Sequence, residues 1–282
     1  SLGLDSGRAT LRLARNSLRA DGPALKGADG LSETDASLLA EVSLGKDPLR
    51  LSLGRNQRSD QSLTYGGAQW THVLGKNLDA RLEVSLHGLT EETSALRAFG
   101  RKDKVSLGLS GKPSEATYAR AELAGQRFDT RSGDKLGSGW RLEGEFGATP
   151  FKTTPAWQLR LSGSTEKNRL AGSLPPSLAA SMGLAPQSVQ SILAPRFSTL
   201  GVGATYRHGA LEGPQRGTQA IADAWVGRQW PANELAYSLR AGVTVPVRSA
   251  GQFRLEGFYT NVQGGVSTQA NRGLSLWYRH EF

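Results

Sequence analysis

The most regular feature of the sequence that bears on chemistry is an arginine followed two residues later by an acid. It occurs as Arg81/Glu83, Arg120/Glu122, Arg141/Glu143, Arg254/Glu256 and Arg279/Glu281. In an extended chain such residues point the same way and sit about 6.5–7 Å apart. Strands carrying them offer each other cross-strand partners of opposite sign. This is not the spacing of acid–base catalysis. It lines a hydrated passage with groups that hydrogen-bond a polar solute, or it builds a salt-bridge lattice that settles the burial of a polar face. Arg160 and Arg240 lie on strands of the same pattern and complete the expected lumen-lining set.

Catalytic motifs are missing. The chain has no GxSxG elbow, SxxK motif or phosphate-binding loop. His72, His87, His208 and His280 are scattered without metal-ligand spacing. The absence of cysteine removes disulfides, thiolate metal sites and a thiol nucleophile. We expect no enzyme, no metal and no cofactor.

The net charge of +9 raises the question of nucleic acid. The basic residues are spread along the chain and interleaved with acids, with no Lys/Arg block and no CxxC. Nucleic acid is therefore set aside in favour of an acidic partner or an anionic lipid surface.

Period-two alternation defines the elements that must carry these groups. In 78–86, Leu78, Ala80, Leu82, Val84 and Leu86 oppose Asp79, Arg81, Glu83 and Ser85. Segments 140–146, 157–166, 235–245 and 274–282 repeat the pattern. The runs are about 9–12 residues, the length of a tilted strand crossing a bilayer, whereas a soluble sandwich uses strands of about five or six. No apolar run is long enough for a transmembrane helix, and mean hydropathy is −0.39. A transmembrane barrel tolerates both, because only alternate residues face lipid.

Turn signals divide the chain into fourteen strands near 8–16, 36–45, 49–57, 62–74, 78–90, 102–112, 116–128, 137–149, 156–167, 197–208, 218–230, 234–247, 251–263 and 272–282. Two of them, 62–74 and 218–230, alternate poorly, so sixteen stays open. Connections alternate between mostly short and mostly long, with 209–217 and 231–233 as exceptions. The expected fold is all-β: a single antiparallel up-and-down transmembrane barrel over residues 1–282, with both termini periplasmic. Fourteen strands give a backbone cylinder roughly 28 Å across. Residues 1–4 lead straight into patterned sequence without a signal peptide, so we expect a mature or excised C-terminal piece of a longer protein. Tyr65, Trp70, Trp140, Phe146, Trp157, Tyr237, Tyr259, Tyr278 and Phe282 fall near strand ends, where an interfacial aromatic belt belongs.

Segment 173–195 is uncharged and rich in proline. Pro175 and Pro176 can open a helix closed by Gly183, and Pro186 a second turn ending at Ile192. We expect this segment, marked by Pro176, Met182, Pro186 and Ile192, to fold into the mouth as a gate or to rest on the rim.

The last strand, with Leu274, Leu276, Tyr278 and a terminal Phe282, resembles the β-signal of outer-membrane proteins. The resemblance implies insertion by the outer-membrane assembly machinery, with Leu276, Tyr278 and Phe282 as its signal. The basic, glycine-rich chain ending in WYRHEF resembles the C-terminal barrels of exopolysaccharide export porins of the BcsC, PgaA and PelB type, most of all PelB. That resemblance implies a conduit for a Pel-like secreted polysaccharide through the outer-membrane lipids. It also implies periplasmic helical repeats upstream, a PelC-like lipoprotein ring at the periplasmic mouth, and sixteen strands. No repeat helices are visible in 1–282. A general or solute-specific diffusion porin, and a receptor or adhesin barrel, are the other readings.

Overall fold

In the computed structural model the described residues are 4–20, 31–58, 61–90, 93–151, 156–181, 188–208, 217–247, 251–262 and 271–281. They form fourteen strands: β1 (Leu4–Ala20), β2 (Leu31–Leu44), β3 (Asp47–Gln57), β4 (Ser62–Gly75), β5 (Leu78–Gly88), β6 (Gly100–Ser114), β7 (Thr117–Thr130), β8 (Lys135–Phe151), β9 (Ala156–Leu170), β10 (Arg196–His208), β11 (Gln219–Trp230), β12 (Glu234–Val247), β13 (Gly251–Thr260) and β14 (Asn271–Glu281). Each pairs antiparallel with its sequence neighbour, and β14 returns to pair with β1, so the sheet closes. The count is fourteen, not sixteen. Several strands run past their expected bounds, β1 most of all, because polar ends such as Arg15 to Ala20 still pair although their alternation is weak.

Closure leaves two surfaces. The convex surface carries large apolar side chains in the open, among them Leu53 at 61% exposure and Leu107 at 56%. No water-soluble barrel would leave so continuous a band uncovered, and its natural cover is hydrocarbon. Two aromatic groups border it. Trp70, Phe146, Trp157, Tyr206, Phe253 and Tyr278 lie toward one rim, and Trp140, Trp230, Tyr237 and Tyr259 toward the other. Tyr65 departs from the expected belt. The alternation of β4 turns it inward, where its hydroxyl donates to Asp35 at 2.7 Å.

The two rims differ. Both strand termini of the described chain, Leu4 and Glu281, lie at the rim with the tight turns 45–46, 76–77 and 115–116. Gly45 supplies the left-handed residue that the first of these needs, with φ of 64°. The opposite rim carries most of the longer connections, with 209–218 at the turn end and 231–233 at the opposite end as the exceptions, and two of the long ones contain helices: α1 (Ser94–Phe99) and α2 (Pro176–Ser181). We refer to these as the turn end and the loop end.

Candidate functional site: a charged inner wall and a loop-end cluster

The polar face is the concave one, as its reach across strands proves. Arg81 on β5 donates to Glu122 on β7 at 2.5 Å, passing over β6. Arg160 on β9 donates twice to Asp223 on β11, at 2.7 and 2.9 Å, over β10. Side chains on strands that are not neighbours converge in this way only inside a curved sheet.

The expected lumen residues Arg81, Glu83, Arg120, Glu122, Arg141, Glu143, Arg160, Arg240, Arg254, Glu256 and Arg279 all lie on this inner face. The side chain of Glu281 lies outside the described residues. Pairing within a strand holds for Arg141 with Glu143, at 3.0 Å, and for Arg254 with Glu256. For Arg81, Glu83, Arg120, Glu122, Arg160 and Arg240 the partners come from other strands. Lys104 bridges Glu83 at 2.9 Å and Glu122 at 3.2 Å. Glu145 gathers Tyr118 at 2.6 Å, Arg120 at 3.0 Å and Arg160 at 3.7 Å. Arg240 reaches Glu256 at 3.3 Å.

Several members of the wall were not singled out from the sequence. Lys104 and Asp223 stand outside the arginine-x-acid motif, and Asp223 sits on the poorly alternating strand 219–230. Trp277 lies inward between Arg12 of β1 and Arg254 of β13, whose guanidinium carbons sit 5.3 and 5.6 Å from its ring centroid. The alternation of 274–282 puts it on the polar face with Ser275 and Arg279, as observed. Trp225 also faces inward. Its Nε1 donates to Ser162 on β9 at 2.9 Å, so the indole crosses β10. It does so over Gly201, where a Cβ would sit 2.5 Å from Cζ2 of the ring.

At the loop end two connections pack against each other and against the inner wall. Thr93 caps α1, its hydroxyl accepting from the Leu96 amide at 3.1 Å and donating to the Ile192 carbonyl at 3.0 Å. Leu96, Ala98 and Phe99 of this connection pack with Leu174, Leu178, Ala179, Val189, Ile192 and Leu193 of the β9–β10 connection. Phe128 and Leu136 from the wall complete one dry cluster. Polar groups tie it to the barrel. Arg97 of α1 pairs with the buried Glu33 of β2, which Asn16 also contacts at 3.1 Å. Arg58, just past β3, donates to the Ala98 carbonyl. Arg131, between β7 and β8, reaches Asn56 of β3 at 3.2 Å. The last of these joins wall segments four strands apart, so it spans a chord of the barrel rather than following the rim from one strand to the next.

Of the expected gating residues, Ile192 is buried in this cluster and Pro176 opens α2 in the open. Met182 and Pro186 lie outside the described residues. The second turn is a short 3-10 turn, Val189–Ser191. The sequence reading missed α1 entirely, although Thr93 before an apolar Leu96 is an N-cap signal. Leu276 and Tyr278 point outward on β14, and Phe282 lies outside the described residues.

No curated protein sequence matches the chain. Among solved structures, a bacterial polysaccharide outer membrane secretin superposes with a TM-score of 0.66, at 10% identity, over 97% of this chain and 97% of its own. OmpT of Vibrio cholerae with loop L8 deleted gives 0.48 at 7% identity, over 98% of each chain. The outer membrane channel DcaP of Acinetobacter baumannii gives 0.45 at 9% identity, over 98% of this chain and 96% of its own. The first of these carries the same fold. The family described as PelB, C-terminal beta barrel domain, matches residues 3–281, which takes in every strand. With its closed fourteen-stranded wall and its polar interior, the chain belongs to the family of the PelB C-terminal β-barrel domain.

Proposed function

We propose that this outer-membrane barrel is the conduit through which a Pel-like exopolysaccharide leaves the cell, with no covalent chemistry of its own. The observation that carries the reading is a charged inner wall within a barrel matched by the PelB family from end to end. Paired charges keep that wall hydrated without fixing a dense charge of one sign, which lets a sugar chain slide instead of sticking. Trp225 adds a flat apolar face at mid-height, of the kind that pyranose rings stack on.

In this reading the turn end and both termini face the periplasm and the loop end faces outward. The barrel follows periplasmic helical repeats, docks a PelC-like lipoprotein ring at the turn end, and enters the membrane through the outer-membrane assembly machinery. Gated export over free diffusion is supported by the buried cluster in which two loop-end connections meet beside the inner wall.

The test is a strain whose chromosomal copy lacks the barrel. Polysaccharide should disappear from the cell surface and accumulate in the periplasm. Unchanged surface polysaccharide would overturn the proposal. Barrel-dependent uptake of small sugars, with normal export, would instead support a diffusion porin.

A further inference from the structure

Near the loop end of β9 and β10, the outward face does not suit plain hydrocarbon. Lys167 and Arg196 stand directly opposite one another in the β9–β10 pairing. Arg169 lies two residues beyond Lys167 on the same face. All three are exposed, and none makes an ion pair with a described residue. Directly opposed like charges destabilise a sheet, so the arrangement calls for an anion.

The neighbouring outward pair adds a second observation. Thr165 and Ser198 place two hydroxyls on the convex face, hydrogen-bonded to each other at 2.9 Å. Trp140 flanks Lys167 in the β8–β9 register, and Trp230 flanks Ser198 in the β10–β11 register. Both indoles are exposed. Cations, then hydroxyls, between two interfacial tryptophans make a graded surface, with Leu161 and Val202 as the apolar floor further down.

We propose that this patch binds the phosphorylated sugar headgroup of a glycolipid in the leaflet at the loop end. The phosphate lies among Lys167, Arg169 and Arg196 and converts their repulsion into charge-assisted hydrogen bonds. The hydroxyls of Thr165 and Ser198 meet the sugar, and the tryptophans border the acyl chains. The site is on the outside of the wall and is independent of what passes through the lumen.

The sign of one substitution tests this. Thermal unfolding is followed by heat-modifiable gel mobility for the full chain in dodecylmaltoside micelles. Without lipid, Arg196→Ser should melt about 2 °C or more above the wild type, because the opposed charges are relieved. With lipid A added, the wild type should gain stability and the variant should not, reversing the order. Lys167→Ser with Arg169→Ser should lose the lipid response in the same way. An equal lipid A shift in the wild type and both variants, or no shift in any, would overturn the site. A full shift from inorganic phosphate alone, or from phosphatidylglycerol vesicles, would overturn its assignment to a phosphorylated sugar.

Discussion

At the scale of single residues, side-chain parity decides what a substitution does. Leu107 sits at the middle of β6 on the convex face, 56% exposed to what we read as lipid. Leu107→Arg should cost about 2–4 kcal/mol of folding free energy in bilayers. Glu83 lies on the other face, and its partner Lys104 keeps Glu122 when the carboxylate is lost. Glu83→Arg should therefore fold normally and alter ion conductance. Urea titration in lipid vesicles reads the first effect and planar-bilayer recording the second. Equal tolerance of both changes would refute the face assignment. Trp225 makes a different prediction. Its half-buried indole lies over Gly201 on the inner wall, so Trp225→Ala should shorten the current blockades produced by maltohexaose about tenfold. Trp225→Phe keeps a ring over Gly201 and should retain most of the blockade time.

The elements explain why some of this was legible beforehand and some was not. A strand such as 78–88 declares its two faces because every second residue must meet lipid, and no tertiary partner is needed to read it. The inner ion pairs were legible only as a class. Arg81 passes over β6 to Glu122, and that choice depends on barrel curvature, which one strand does not encode. The mouth was the least legible part. Segment 173–195 stood out as uncharged and proline-bounded, but its burial partner α1 is six residues long and sits in a different connection. Alternation says nothing about such pairs. The pairing between these elements leads to a prediction of its own. Removing 173–195 strips the cover from Leu96 and Phe99 and should raise single-channel conductance while β9 and β10 stay paired. Arg97→Ala leaves Glu33 buried with Asn16 as its remaining contact, and losing one partner of a buried pair costs about 3–5 kcal/mol. That variant should open more often without changing the size of the open level. If the deletion lowers only the melting temperature and leaves conductance alone, the two connections stiffen the rim and do not close the pore.

For the whole molecule, closure is what makes either reading possible. Within lipid an unpaired strand edge leaves backbone amides and carbonyls without partners, so a sheet of thirteen paired neighbours is not a stable intermediate product. The seam between β1 and β14 therefore bears on every other strand. It runs from Thr10 opposite Glu281 to Ala20 opposite Asn271, and Trp277 is clasped across it by Arg12 on one side and Arg254 on the other. Its outward face brings Leu13 against Tyr278, with the Phe253 ring of β13 packed at a tilt against the tyrosine, 5.0 Å between ring centroids. Tyr278→Asp places a charge on that face and removes the aromatic contact at the same point. The expected result is loss of the whole heat-modifiable band, not a partly folded form, because no subset of strands satisfies its own edges. Leu235→Asp offers the comparison: it lies off the seam, two strands away at the loop end of β12, and is already 61% exposed near the rim, where a charge reaches water. It should assemble at close to wild-type yield. Loss of assembly to the same degree in both variants would mean that the outer face as a whole, and not the closing seam, sets the yield.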